Sequence, residues 1–175
     1  MAELGRYIKK TDPNAKVIFI GPCTAKKGEA QRPNVKEHVD CVLTFEELQA
    51  WIVSRDLDLK SLDVGVLDNA SYFGRIFARS GGLSDSVAQA LKEQQITDFI
   101  ANPVVCDGIE ECRVALLKKQ KNLLKENFIE GMACVGGCIG GAGCLTHGPK
   151  DKSEVDKYGH EAYEKTIADA LSMIK

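Results

Sequence analysis

The sequence lacks an excess of charge of either sign. Its 23 Lys and Arg residues are balanced by 25 Asp and Glu residues, so the formal net charge is -2. Bulk charge is what draws many proteins to nucleic acids and to membrane surfaces. The balance therefore disfavours both kinds of partner.

Long hydrophobic runs are also missing. No stretch approaches the roughly 20 apolar residues that span a bilayer. The first ten residues, MAELGRYIKK, contain no apolar segment of the kind that defines a secretory signal peptide. We expect a cytoplasmic protein without a membrane partner.

What is present is enough apolar sequence for a folded core. The chain has 175 residues, of which 44% are hydrophobic, and it shows no internal repeat and no linker. Helical and extended patterns alternate along it, which predicts a single α/β domain over residues 1–175, with a roughly four-stranded sheet flanked by helices. The predicted strands are 16–20, 39–43, 99–106 and 128–133.

Local signals place some of the connecting elements. Thr44 and Glu47 form a capping box that opens a helix ending near Arg55, and Asp107 with Glu110 predicts a second cap. The polar, proline-interrupted stretch 23–35 is expected to be a loop. A last helix is expected from about Ser153, with an apolar stripe that reaches Ile174.

Seven cysteines are the distinctive feature of the composition. An odd number fits a closed set of disulfides poorly, so a reducing compartment with some thiols serving as ligands is the better starting hypothesis. Three cysteines lie in apolar runs without a motif and are predicted to be small buried hydrophobes: Cys41, Cys106 and Cys112.

The segment 133–148 concentrates the chemistry. Cys134 and Cys138 lie among five glycines, at positions 136, 137, 140, 141 and 143. Glycines let the backbone approach a bulky group closely, and successive amides make anion-binding concavities that many iron–sulfur sites use. A glycine-rich turn with incidental cysteines remains the alternative. A phosphate-binding loop is disfavoured because neither common glycine spacing is present.

A second candidate segment follows the first predicted strand, at the edge of the sheet where ligand sites collect in open α/β folds. It contains Cys23 and, three residues later, Lys26, whose ammonium group can stabilise a thiolate or hydrogen-bond an anionic ligand. A surface turn with solvated lysines is the alternative.

The two segments together resemble a known family. GPCTAKKGE and IEGMACVGGCIGGAG are similar to the second and third signature motifs of the iron-only ([FeFe]) hydrogenase large subunit, MPCxxKxxE and ExMACxxGCxxGGGQP. The order of the motifs also matches the C-terminal catalytic region of that family. The resemblance runs from about Lys16 to Gly143.

The resemblance implies a cofactor and a set of roles. The family's H-cluster is a [4Fe-4S] cluster joined through a cysteine sulfur to a diiron subcluster that carries CO and cyanide. Cys23 and Cys134 are expected to ligate the [4Fe-4S] cluster, and Cys138 to ligate it and bridge to the diiron subcluster. The expected neighbours are Lys26, which would hold an iron-bound cyanide, Met132, which would pack against the diiron subcluster, and Glu29, which would hydrogen-bond around the site.

Some positions depart from the family pattern. No counterpart of the family's first motif, a TSCCP-type cysteine pair, is present, so we expect a fragment of a larger catalytic domain that is inactive alone. Gly21 replaces a usual methionine, and Cys144 stands where glutamine is usual. Cys144 could be a proton relay, a substitute ligand or a bystander.

The implied function is the C-terminal lobe of a hydrogenase that interconverts H2 with protons and electrons. Its expected partners are the N-terminal remainder of the catalytic domain and a ferredoxin-type electron carrier, and Cys138 and Lys26 are the expected catalytic residues. Two alternatives stay open. One is a hydrogenase-like sensor or iron–sulfur assembly protein without a working diiron subcluster, and the other is an α/β domain whose cysteines are only structural.

Overall fold

The protein folds into two compact units, seen in a computed structural model that describes residues 1–65 and 70–172. The first unit comprises Met1–Asp63 with Gly141–Thr146, and the second comprises Val64–Gly140 with His147–Lys175. The chain therefore passes from the second unit to the first inside the glycine-rich segment, after Gly140. A single domain over residues 1–175 stays a prediction.

The first unit is a parallel β–α–β arrangement preceded and followed by helices. Strands β1 and β2 pair in parallel with Ile18 opposite Cys41 and Ile20 opposite Leu43. Val42 points into a small apolar core with Ala30, Val35 and Val39. The elements of this unit, in chain order, are α1 (Ala2–Thr11), β1 (Ile18–Ile20), α2 (Ala25–Ala30), β2 (Cys41–Leu43), α3 (Phe45–Ser54) and a 3-10 turn (Leu59–Ser61).

The second unit is built on another parallel β–α–β arrangement. Strands β3 and β4 pair from Pro103 opposite Phe128 to Asp107 opposite Met132. Pro103 is the first residue of its strand, a position that tolerates its missing N–H. The elements, in chain order, are α4 (Tyr72–Arg75), α5 (Gly82–Glu93), β3 (Pro103–Asp107), α6 (Ile109–Gln120), β4 (Phe128–Met132), a 3-10 turn (Cys138–Gly140), α7 (Asp151–His160) and α8 (Ile167–Ser172).

The α/β class and the four strands agree with the sequence prediction. Among the described residues, the strands form two two-stranded parallel sheets, β1–β2 and β3–β4. The capping box is confirmed, because Thr44 Oγ1 accepts from the Glu47 N–H and the Glu47 carboxylate accepts from the Thr44 N–H. Among the described residues, no helix is both long enough and apolar enough to cross a bilayer.

Three local predictions are wrong: the loop over 23–35, the cap formed by Asp107 and Glu110, and the single last helix. The stretch 23–35 contains helix α2, because Ala25 to Ala30 are mostly good helix formers and Pro33 lies beyond the helix end. Asp107 and Glu110 form no cap, since α6 starts after Gly108 without a side-chain cap.

The last predicted helix is two helices within the described residues. Helix α7 ends at His160, and α8 starts where the Glu93 carboxylate accepts from the Ile167 and Ala168 N–H groups. This long-range cap leaves no local sequence signal. Ile174, at the end of the predicted apolar stripe, lies outside the described residues.

Asp40 gives the first unit a measurable pH dependence. A hydrogen bond from Lys9, 2.8 Å away, and another from the Val17 N–H lower the pKa of the Asp40 carboxyl below its usual value. A carboxyl whose pKa is lower in the folded state stabilises that state above its unfolded pKa, and this contribution is lost as the pH falls through the folded pKa. Lys9→Met should therefore raise the pKa of Asp40 in a carboxyl-carbon NMR titration.

Lys16→Met is the matched control for that titration. Lys16 Nζ lies 3.9 Å from the Asp40 carboxylate and its side chain is 82% exposed, so solvent screens the pair. The control should move the pKa of Asp40 less than Lys9→Met does. An equal or larger shift would show that the hydrogen bond from Lys9 is not the main cause.

Candidate iron–sulfur site

Cys23, Lys26 and Glu29 lie together in the first unit, where β1 leads into α2. Cys23 is partly exposed, and its carbonyl accepts from the Lys26 N–H at 3.3 Å, which starts the helical turn. Lys26 Nζ pairs with the Glu29 carboxylate one turn later on α2. The helix thus puts the thiol, ammonium and carboxylate of the motif on one short segment, with the ammonium held by the carboxylate.

The segment that carries Cys144 also belongs to the first unit. The Gly143 N–H donates to the Pro22 carbonyl at 2.9 Å, and the Phe45 N–H donates to the Gly143 carbonyl at 3.1 Å. A Cβ atom at Gly143 would lie 2.6 Å from Thr44 Cβ, so glycine is required for this close approach. Gly143, the residue before Cys144, is therefore hydrogen-bonded to Pro22, the residue before Cys23.

Met132, Cys134 and Cys138 lie in the second unit, on β4 and the turn that follows it. Neither cysteine is in a disulfide, and both are partly exposed. The Gly137 N–H donates to the Cys134 carbonyl at 3.0 Å, and Gly136 and Gly137 both have φ near +87°. The backbone therefore reverses between the two cysteines in a conformation that favours glycine. We call residues 134–140 the cysteine turn.

Segment 78–80 holds the cysteine turn in place through the backbone. The Ser80 N–H donates to the Gly136 carbonyl at 3.0 Å, and the Ile139 N–H donates to the Ala78 carbonyl at 3.2 Å. Arg79 and Gly137 form an isolated antiparallel bridge between these bonds. The turn is thus fixed by a neighbouring strand-like segment as well as by its own glycines.

Asp107 supports the same turn from the end of β3. Its carboxylate accepts from the Gly136 N–H at 2.6 Å. The sequence assigned Asp107 to a helix cap, but its partner lies 29 residues later in the chain. A cavity of about 480 Å³ adjoins this point, and His147 is among the residues that line it.

Sequence reasoning missed two charged side chains that anchor segment 78–84. Arg79 is nearly buried and donates to Asp156 at 2.6 Å and to Asp85 at 2.9 Å. Burial alone would lower the pKa of the Arg79 guanidinium, but the hydrogen bonds with Asp156 and Asp85 outweigh it and raise the pKa. No local pattern links Arg79 to Asp156, 77 positions away.

Glu130 is the second missed anchor and is fully buried on β4. Its carboxylate accepts from the Gly81 N–H, the Ser84 N–H and the Ser84 hydroxyl at 2.8, 2.8 and 2.5 Å. These donors belong to the first turn of α5 and the residue before it. Glu130 is the glutamate of the motif segment IEGMACVGGCIGGAG, to which the sequence assigned no role. In the structure it connects β4 to α5 just ahead of the cysteine turn.

Comparison with known proteins places the chain in a family. The family model described as "Iron only hydrogenase large subunit, C-terminal domain" matches residues 1–142. The chain belongs to this family. The match contains the Cys23 segment and the Cys134–Cys138 turn, as the sequence motifs predicted.

Individual relatives agree with the family model. Iron hydrogenase 1 of Clostridium pasteurianum is 30% identical over 188 residues, which cover 85% of this chain and 32% of the relative. The cytosolic Fe-S cluster assembly factor NAR1 of Kluyveromyces lactis is 39% identical over 57 residues, covering 33% of this chain and 12% of the relative. The chain thus spans about a third or less of these relatives.

A solved structure has the same fold. A variant of [FeFe]-hydrogenase HydA1 from Chlamydomonas reinhardtii superimposes with a TM-score of 0.59 at 17% sequence identity. The superposition covers 99% of this chain and 62% of the other. The predicted fold, an α/β lobe like the C-terminal part of the [FeFe]-hydrogenase catalytic domain, is confirmed.

The residues of this hydrogenase-family chain suit an iron–sulfur cluster in their donor chemistry. Cys23, Cys134 and Cys138 are all outside disulfides and partly exposed, which suits thiolate ligands of an iron–sulfur cluster. Within each unit, however, the described residues bring no three His, Cys, Asp or Glu side chains together as a ready metal site. The predicted ligands are instead divided between the units, with Cys23 in the first and Cys134 and Cys138 in the second.

The three unassigned cysteines differ from one another. Cys106 is buried, as predicted, and Cys112 is partly exposed. Cys41 is exposed, so its prediction as a buried hydrophobe is wrong. Side chains alternate along a strand, and its neighbour Val42 takes the inward position on β2.

Substitution of the turn glycines should disrupt the cysteine turn. At Gly137 a Cβ atom would lie 2.5 Å from the Ser80 nitrogen, and at Gly140 it would overlap the Val135 carbonyl. We expect Gly137→Ala and Gly140→Ala to lower the free energy of unfolding by more than about 1 kcal/mol each. The atoms that a Cβ would meet are backbone atoms, so the clash can be relieved only by a shift of the backbone. Chemical denaturation followed by circular dichroism measures the loss.

Gly28→Ala is the matched control for these substitutions. No atom lies within 4 Å of a Cβ at Gly28, which is on helix α2. Alanine there should be neutral or stabilising by up to about 1 kcal/mol. Equal effects at the three glycines would contradict a specific requirement in the turn.

Proposed function

We propose that the chain is the C-terminal lobe of an [FeFe]-hydrogenase catalytic domain, which interconverts H2 with protons and electrons at an H-cluster. One observation carries the proposal: the family match over residues 1–142 includes both cysteine segments. The ligand types in these segments are those that iron–sulfur clusters use.

Each side chain of the proposed site has a distinct role. Cys23 and Cys134 would ligate the [4Fe-4S] cluster, and Cys138 would ligate it and bridge to the diiron subcluster. When bound, the H-cluster would supply electron transfer and an iron site for H2. Met132, the last residue of β4 before the cysteine turn, would pack against the diiron subcluster.

Lys26 and Glu29 would act as a pair in this site. Lys26 carries an ammonium that can donate three hydrogen bonds, and Glu29 occupies one of them. The remaining donors would orient an anionic ligand such as cyanide through charge-assisted hydrogen bonds. Because both residues lie on α2, Glu29 would also restrict the rotamers of Lys26.

The proposal includes partners and a compartment. An N-terminal remainder of the catalytic domain would supply the missing cluster ligand, and a ferredoxin-type carrier would exchange electrons with the site. None of the seven cysteines, all within the described residues, is in a disulfide, which suits a reducing compartment, so we place the protein in the cytoplasm.

Hydrogen evolution tests the proposed function. The full-length protein that carries this chain, matured with its cofactor, should evolve H2 from a reduced viologen dye under anaerobic conditions. The 175-residue chain alone should give none above the rate of the buffer, because its sequence contains no counterpart of the family's first cysteine motif. Activity of the isolated chain would overturn the expectation of incompleteness, and an inactive matured full-length protein would overturn the proposed function.

A second candidate function has one observation in its favour. The similarity to the assembly factor NAR1 covers 57 residues at 39% identity. The chain would then belong to a protein that holds a [4Fe-4S] cluster without a diiron subcluster, as an assembly factor or a sensor. The shorter match makes this the weaker candidate.

A further inference from the structure

An acidic side chain lies against the backbone between the two cysteines of the cysteine turn. Asp107 is the last residue of β3, and its Oδ1 accepts from the Gly136 N–H at 2.6 Å. Gly136 is two residues from Cys134 and two residues from Cys138. Because each residue advances the chain by at most about 3.8 Å, the carboxylate lies within roughly 15 Å of both thiols. The backbone that carries two proposed cluster ligands is thus held by a negatively charged group.

The end of β3 fixes the position of this carboxylate. Asp107 pairs with Met132 in the parallel ladder, and the Gly108 N–H donates to the Met132 carbonyl at 2.8 Å. The Asp107 N–H donates to the Glu111 carboxylate at 2.8 Å. These contacts place Asp107 independently of its bond to Gly136, so the carboxylate is a rigid support for the turn.

The neighbouring cations do not neutralise Asp107 directly. A cavity of about 570 Å³ beside the carboxylate is lined by Arg79 and Lys152. The Arg79 guanidinium is already paired with Asp85 and Asp156. Lys152 forms no ion pair with Asp107, nor does any other residue that the structure describes. The negative charge of Asp107 therefore acts on its surroundings without a direct counter-ion.

We propose that Asp107 is a positioning residue of the iron–sulfur site and that it lowers the reduction potential of the cluster held by Cys134 and Cys138. The inference rests on the proposed function. It gives a role toward the cluster to a residue that lies outside both cysteine motifs.

Two properties of the carboxylate produce this effect. Reduction adds an electron to the cluster, and a fixed negative charge nearby makes that addition less favourable. The carboxylate also directs the Gly136 N–H toward itself, at 2.6 Å, rather than toward a cluster sulfur. A hydrogen bond to sulfur would stabilise the extra negative charge of the reduced cluster, so both properties favour the oxidised cluster.

An anaerobic redox titration of the matured full-length protein tests the inference. Asp107→Asn removes the charge and keeps an oxygen that can accept from the Gly136 N–H. At an effective dielectric constant of about 20, loss of a charge at this distance should raise the equilibrium constant for one-electron reduction about tenfold. That change is a shift of about 59 mV to higher potential. Low ionic strength keeps the charge unscreened.

The EPR signal of the reduced cluster reports the potential without any need for turnover. The signal to follow is the one that is missing when Cys134→Ser and Cys138→Ser are combined. Asp107→Ala is a second variant, which removes both the charge and the acceptor. It should raise the potential and also lose iron to a chelator faster than the wild type, whereas Asp107→Asn should keep its iron. The titration of Asp107→Asn decides the proposal even where Asp107→Ala fails to fold.

Asp151→Asn is the matched control for the charge. Asp151 and Asp107 both line a cavity of about 480 Å³, and the Asp151 carboxylate accepts from the Gly148 N–H at 2.8 Å. The substitution removes the same charge from the same cavity, but its hydrogen bond lies outside the cysteine turn. It should shift the potential clearly less than Asp107→Asn does.

The possible failures are distinguishable. An unchanged or lower potential in Asp107→Asn would overturn this inference and leave the proposed function intact, since the wild type would still hold its cluster. An equal shift in Asp151→Asn would also overturn it, because the effect would then not depend on the contact with Gly136. A matured wild type that contains no cluster would overturn the proposed function, and this inference with it.

Discussion

Cluster insertion into the full-length protein should fail when Cys134→Ser and Cys138→Ser are combined. Serine replaces a soft thiolate with a hydroxyl, which iron–sulfur clusters rarely accept as a ligand. The turn itself should survive, because its backbone bonds from Ser80 and Ile139 do not use the thiols. After anaerobic reconstitution with iron and sulfide, the variant should show only background absorbance in the charge-transfer region and only background bound iron.

Cys41→Ser is the matched control for that experiment. Cys41 is an exposed free cysteine on β2, so its loss removes a thiol without touching either motif. The control should bind as much iron as the wild type. Equal iron uptake by the double variant and the wild type would favour an α/β domain whose cysteines are only structural.

Loss of Glu130 should have the largest effect on stability. The side chain is fully buried and accepts three hydrogen bonds, from Gly81 and Ser84. Glu130→Ala leaves these buried donors without their acceptor, at a cost of about 1–3 kcal/mol for each group that finds no substitute. We expect a total loss of about 3–5 kcal/mol in the free energy of unfolding, measured by denaturation with urea.

Two further variants sharpen the Glu130 experiment. Glu130→Gln keeps the shape and one acceptor oxygen, so it should lose clearly less stability than Glu130→Ala. Glu37→Ala removes an exposed carboxylate and should stay within about 0.5 kcal/mol of the wild type. A Glu130→Ala protein as stable as Glu37→Ala would contradict the anchoring role.

The features that sequence predicted well are those set by near neighbours in the chain. The Thr44–Glu47 box is encoded within four residues, and both of its hydrogen bonds form. Each of the four strands is a short apolar run with a turn signal close by. The two cysteine segments were recognised because their ligand types and glycines are contiguous.

The features that sequence missed depend on partners far along the chain. Arg79 pairs with Asp156, and Glu93 caps a helix that starts 74 positions later. Asp107 had a plausible local partner in Glu110, but its carboxylate is used by Gly136 in the cysteine turn. A local sequence pattern is compatible with several hydrogen-bond partners for such a side chain. The tertiary fold determines which partner it has.

The position of Cys41 illustrates the same limit in a strand. An apolar context predicted burial, but the alternation of side chains along β2 places Val42 inside and Cys41 outside. The short run of three residues in β2 contains too few positions to fix which face is inward. Burial therefore had to be read from the structure.

Infrared spectroscopy of the matured full-length protein tests the central claim most directly. Carbon monoxide and cyanide bound to iron absorb in a spectral window that protein groups leave clear. If Cys23, Cys134 and Cys138 hold an H-cluster, the spectrum should show bands of both ligands, and the bands should vanish in Cys138→Ser. A protein with a full [4Fe-4S] content but without these bands would contradict the hydrogenase proposal and favour the assembly or sensor function.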